Sequence, residues 1–102
     1  TVIRNRAAAP RAAALFRITV MRVALARSAS KHGFSRRDIL HALARAQVVE
    51  EVGEEPLRFL VLGPALDGQL LEIVVLLEDN GSLLVIHAMK MREQYRRLLG
   101  ER

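Results

Sequence analysis

Asn80-Gly81, set between the apolar runs Leu70–Leu77 and Leu83–Met89, constrains this chain more than any other dipeptide in it. Asn-Gly closes two-residue hairpins as a type I′ turn, because both central residues take positive φ and the twist of the turn then matches that of the strands. In that register Asp79 faces Ser82, Leu77 faces Leu84, Val75 faces Ile86 and Ile73 faces Ala88. One face of the ribbon is then wholly apolar and must be covered. The other carries Val74, Leu76, Leu83, Val85 and Met89 together with Glu72 and His87. His87 lies opposite Val74, so Glu72 is its diagonal neighbour, within reach of long side chains.

Upstream, Val48-Val49 with Val52, and Leu57–Leu62, are two more short β-rich runs. Gly-Glu-Glu-Pro at 53–56 and Gly-Pro-Ala-Leu-Asp-Gly at 63–68 supply the turn chemistry between runs, and the four segments read as an antiparallel meander. Before Val48 the period is helical. Val23, Ala26 and Ala29 share a face in residues 21–32, and Gly33 follows as a left-handed stop. Ser35 with Asp38 three residues on is an N-cap pair for a second helix over about 36–46. Its apolar stripe is Ile39, Leu40, Leu43 and Ala46, with Arg37, His41 and Arg45 on the polar side. Lys90–Leu99 returns to helical spacing, with Met91, Tyr95 and Leu98 on one face and Arg92 and Arg96 on another. The expectation is an α+β domain, two N-terminal helices packed on a four-stranded antiparallel sheet, with a C-terminal helix.

With 102 residues the chain has room for one hydrophobic core. It has no cysteine, which removes disulfides, thiolate catalysis and Cys-based zinc sites. No apolar run reaches the roughly 18–20 residues that a bilayer-spanning helix requires. The net charge of +5 is unevenly placed: residues 1–47 hold ten cations and one acid, 48–86 one cation and eight acids, and 87–102 five cations and two acids. An acidic middle between basic ends suits a surface that holds phosphate in one place and meets a basic partner in another. Residues 1–20 carry four Arg, six Ala and no acid and precede Met21. They read as a transit peptide, a basic arm or translated sequence ahead of a start at Met21, with residues 21–102 forming the single domain.

Glu72 and His87 are the nearest approach to a catalytic pair. Metal-free RNA cleavage needs a base for the 2′-hydroxyl, an acid for the leaving 5′-oxygen and cations for the charge on the pentacoordinate phosphate. His87, Glu72 and the Lys90, Arg92, Arg96 and Arg97 group meet that list. The plainer reading is a solvent-facing cross-strand pair beside the solvated face of a terminal helix. His32, just before Gly33, suits either the capping of helix carbonyls or contact with substrate. His41 reads as a surface residue, and Tyr95 as core with its hydroxyl at the rim. Histidines at 32, 41 and 87 lack the spacing of metal ligands on one helix, so neither a metal site nor a cofactor is expected.

Lys31-His32-Gly33-Phe34-Ser35 opening a helix, Gly63 and Asp67-Gly68 before a strand, and Ile86-His87-Ala88-Met89-Lys90-Met91-Arg92 leading to Tyr95-Arg96-Arg97 resemble the small bacterial toxins of the BrnT type. These belong to the RelE-like ribonuclease superfamily, and the resemblance covers about residues 22–99. It implies a RelE-like fold and a cytoplasmic endoribonuclease that arrests translation by cutting messenger RNA, on the ribosome or off it. It also implies neutralisation by a cognate antitoxin protein, through which alone operator DNA is reached. Residue by residue, His32, Lys90, Arg92 and Arg96 fall in or near the family's RNA-cleavage site. The chain departs from the family pattern at Met89–Gln94, and His87 stands where a small polar residue is usual. A non-catalytic protein- or nucleic-acid-binding module is the alternative.

Overall fold

The computed structural model describes residues 2–3 and 22–100, so the expected arm over residues 1–20 lies almost wholly outside the described residues. The strands are β1 (Val2–Ile3), β2 (Val23–Leu25), β3 (Val48–Glu54), β4 (Leu57–Pro64), β5 (Leu70–Leu77) and β6 (Leu83–Lys90). One α-helix, α1 (Arg36–Ala44), and two 3-10 helices, Arg27–Ser30 and Glu93–Leu99, complete the described elements. The sheet runs in the order β1-β3-β4-β5-β6-β2. β3 to β6 are antiparallel neighbours, whereas β1 runs parallel to β3 and β2 parallel to β6.

This mixed sheet overturns the expected fold of two N-terminal helices and a C-terminal helix on a four-stranded antiparallel, RelE-like sheet. The first expected helix is instead a strand followed by a 3-10 turn. Its helical stripe rested on alanines, which bury little area, while Val23 and Leu25 also fit a period of two, and Val23 is buried in the strand. The serines turn the chain out of a helical ladder: Ser28 Oγ donates to Ile86 O at 2.6 Å, and Ser30 Oγ to Arg27 O at 2.8 Å. The C-terminal helix is 3-10 rather than α. Positions three apart share a face in both kinds of helix, so Tyr95 and Leu98 reach the sheet either way.

The hairpin shows how the register settles. Its loop has three residues, Asp79-Asn80-Gly81, with the Glu78 N–H donating to Ser82 O and the Gly81 N–H to Glu78 O, each at 2.9 Å. Gly81 alone takes a positive φ, 85°, which is the arrangement of a three-residue turn and not of a two-residue type I′ turn. Val75 therefore pairs with Val85 and Leu77 with Leu83, so Leu83 and Val85 join the covered face in place of Leu84 and Ile86. A bulge between Val74 and Val75 then absorbs Ile86 and restores the pairs Val74 with His87 and Ile73 with Ala88. Two irregularities cancel. His87 keeps the position that the sequence assigns it.

Ser35 caps α1 as expected, its Oγ accepting from the Asp38 N–H at 3.1 Å. Asp38 Oδ1 also accepts from the Leu66 N–H at 3.0 Å, tying the helix start to the β4–β5 loop. Ile39, Ala42 and Leu43 pack with Ala29 against Phe59, Val61, Ile73, Val75, Val85 and Ala88. His41 is not a free surface residue. It is half-buried, and its Nδ1 donates to Pro64 O at 2.8 Å. On the other face, Met91 and Leu98 pack on Val48, Leu60 and Leu62. No helix among the described residues is long and apolar enough to cross a membrane.

α1 approaches β4 so closely that a Cβ on Gly63 would collide with the backbone carbonyl of Ala42. Backbone on both sides leaves little room to yield, so Gly63→Ala is expected to lower stability by about 1–3 kcal/mol, the usual cost of overpacking. Thermal unfolding checks this, and an unchanged melting temperature would show that α1 rides further from the sheet.

Candidate functional site

Glu72 sits mid-strand in β5 on the face away from α1, and it is the one charged or polar residue among those described that is buried, at 1% exposure. A carboxylate there must be fully hydrogen-bonded or neutral. It is fully hydrogen-bonded. Oε1 accepts from the Arg92 backbone N–H at 2.9 Å and from Arg92 Nε at 3.0 Å. Oε2 accepts from Arg92 Nη2 at 2.8 Å and from His87 Nε2 at 3.0 Å. Burial alone would raise the carboxyl's pKa. The hydrogen bonds from the Arg92 side chain and backbone and from His87 outweigh it, so Glu72 is held below the ordinary carboxylate range. The same hydrogen bond raises the guanidinium of Arg92.

The backbone explains the convergence. After the bulge, Glu72 pairs with Met89 and Val74 with His87, and the diagonal reach from Glu72 to His87 expected from the sequence is present. Arg92 follows the end of β6 in an extended conformation, φ −78° and ψ 151°, which turns its N–H back toward β5. Glu72 thus anchors the backbone of Arg92, the residue that leads into the last 3-10 helix. It fixes where Tyr95 and Leu98 land on the sheet.

An ionised carboxylate only accepts, so the His87 Nε2 carries the proton of that bond and Nδ1 is the ring nitrogen left for another partner. The His87 side chain is 29% exposed. His32, exposed at the end of the first 3-10 helix, meets it edge-on, with ring centroids 6.0 Å apart and planes at 75°. His32, Glu72, His87 and Arg92 therefore form one cluster.

The remaining expected cations divide. Lys90 pairs with Leu71, a residue of the face that α1 covers, so alternation places it on the opposite side of the sheet from His87. Arg96 Nε donates to Glu93 Oε1 at 2.9 Å, and the exposed Arg97 points its Nε at Gln94 O at 3.4 Å. Arg92 is both tied and presented: Nε and Nη2 face Glu72, yet half the side chain is exposed, with its guanidinium 5.6 Å from the Tyr95 ring centroid.

Two residues of this face escaped the sequence reading as site candidates. Glu50, Leu60, Val74 and His87 are successive cross-strand partners on β3, β4, β5 and β6, so they form one row. Glu50 and Tyr95 border a groove beside the cluster, with Arg97 at its edge. The signal for Glu50 lay in carrying the hairpin register across two further strands, which needs the lengths of both intervening loops.

No family model, curated protein or solved structure matches the chain.

Proposed function

We propose that this chain is a metal-independent endoribonuclease toxin of the kind its sequence resembles, with the His87–His32 pair as its acid/base centre. The observation that carries the reading is the geometry of that pair: two imidazoles 6.0 Å apart, one of them aimed by a buried, ionised carboxylate. In-line attack by a ribose 2′-hydroxyl places the entering and leaving oxygens on opposite sides of phosphorus, and two imidazoles at that separation reach one each.

His87 Nδ1 takes the 2′-hydroxyl proton as the 2′-oxygen forms its bond to phosphorus. The bond from phosphorus to the 5′-oxygen breaks, and protonated His32 supplies the proton to that oxygen. The products are a 2′,3′-cyclic phosphate and a 5′-hydroxyl. Glu72, saturated and ionised, does not transfer a proton here. It positions His87 and fixes the tautomer, as the carboxylate of a catalytic triad does. Arg92 lends its outer guanidinium edge to the phosphate, and Arg96 and Arg97 add local positive charge.

A cognate antitoxin belongs to the same reading. Glu54, Glu55, Glu78 and Asp79 line an acidic cleft at the hairpin end of the sheet, which suits a basic segment of such a partner. One observation favours a second reading, a binding module without catalysis: Arg92 is committed to Glu72, as in a purely structural clasp.

Expression in a bacterial host separates the two. The wild-type chain is expected to arrest growth, and His87→Ala with Arg92→Ala is expected to relieve the arrest at equal protein level. Undiminished arrest by the double variant would remove the cluster from the mechanism.

A further inference from the structure

The row Glu50–Leu60–Val74–His87 connects the acid/base centre to a second feature of the same face. A groove of about 240 Å³ lies over its middle, bounded by Glu50, Val52, Leu60, Val74, Tyr95, Arg97 and Leu98. That volume is below the range typical of drug-sized ligands and suits a single planar ring system. The floor is apolar, from Leu60 and Val74, and one wall carries the aromatic ring of Tyr95. Glu50 stands at one end of the row and His87 at the other, a span of roughly 14 Å between backbones for three strand spacings.

Glu50 is half-buried, and its carboxylate pairs with no described residue. A carboxylate at the end of an apolar, aromatic-walled slot accepts from adjacent N–H donors. Among the RNA bases, guanine alone offers two side by side, N1–H and the N2 amino group. Adenine places the acceptor N1 beside its amino group, cytosine likewise places N3, and uracil has a single N–H between two carbonyls. Proteins that read single-stranded RNA combine stacking on an aromatic ring with hydrogen bonds to the Watson–Crick edge, and this groove offers both.

We infer that the groove is a base-recognition subsite selective for guanine, with Glu50 reading the Watson–Crick edge, Tyr95 stacking on the ring and Arg97 beside the adjoining phosphate. The inference rests on the ribonuclease reading for its choice of RNA. It gives the site a substrate class: single-stranded RNA cut next to guanosine.

Binding of mononucleotides to the full chain tests this without catalysis. The protein has one tyrosine, so its ring resonances in NMR report the groove alone. Guanosine 3′-monophosphate is expected to shift them and to bind about tenfold more tightly than adenosine 3′-monophosphate, the scale of one bidentate contact. Glu50→Gln, with unchanged thermal unfolding, is expected to abolish the preference, and Tyr95→Leu to weaken both nucleotides. Equal affinities in the wild type, preference surviving in Glu50→Gln, or binding of neither nucleotide would overturn the subsite. RNA cleavage by the wild type with no guanine preference in binding would do so while leaving the ribonuclease reading intact. Guanine-selective binding without cleavage would uphold the subsite and defeat that reading.

Discussion

Glu72→Ala is expected to destabilise the outer face of the sheet strongly. It removes the shared acceptor of three Arg92 donors and of His87 and leaves a void under the last 3-10 helix. Losing one partner of a buried, hydrogen-bonded charge cluster typically costs about 3–5 kcal/mol. Arg92 is half exposed and regains water when freed, which brings the expected loss to about 2–3 kcal/mol, or roughly 10–20 °C in melting temperature for a domain this size. Met91 and Leu98 should loosen with it, because the carboxylate anchors the start of their segment. Glu72→Gln keeps the shape but turns donors toward donors, so it is expected to recover little.

The same residue sets a pH dependence. The folded-state pKa of Glu72 lies below the ordinary value of about 4.5, so its contribution is fully present above about pH 4.5 and is lost as the pH falls through the folded-state value. The stability gap between the wild type and Glu72→Ala is therefore expected to be constant near neutrality and to close on acidification below pH 4.5. A gap that widened with acid, or a Glu72→Ala protein melting within a degree or two of the wild type, would show that the carboxylate is not ionised and load-sharing in this way.

How much of this was legible beforehand depended on the range of the signal. β3 to β6 are present where the apolar runs and turn residues put them, and Ser35 caps α1, because those signals are local. The diagonal contact between Glu72 and His87 was also legible, although by a route with two offsetting errors: a three-residue turn in place of two, and a bulge at Ile86 that sequence pattern does not announce. What failed was decided at a distance. Val23–Leu25 becomes a strand because the edge of β6 is open beside it, a fact absent from the local spacing of alanines. Arg92 reads as a phosphate ligand by charge alone, and only the path of the chain after Lys90 turns its backbone N–H and guanidinium onto Glu72. Lys90 looked like part of the same basic group, yet a single strand step puts it on the opposite face.

Under the proposed ribonuclease function, catalysis carries the second large effect. General acid or base assistance by one positioned group contributes about 10²–10⁴-fold, so His87→Ala is expected to slow RNA cleavage by that order, and His32→Ala comparably. The proposed pairing of one general base with one general acid predicts a rate that rises and then falls with pH. Glu72→Gln is expected to lower the rate through His87, as loss of an orienting carboxylate does, without abolishing RNA binding. Arg96→Ala should act mainly on affinity, with a shallower dependence on salt than the wild type, because one fewer counterion is released on binding.

Incubation of the purified full-length protein with a defined single-stranded RNA in EDTA, followed by identification of the new ends, tests the proposed acid/base role of the cluster most directly. Fragments ending in 2′,3′-cyclic phosphate and 5′-hydroxyl, formed at least a hundredfold more slowly by the folded His87→Ala variant, are the expected outcome. Intact RNA with the wild type, or equal cleavage by both proteins, would contradict that role.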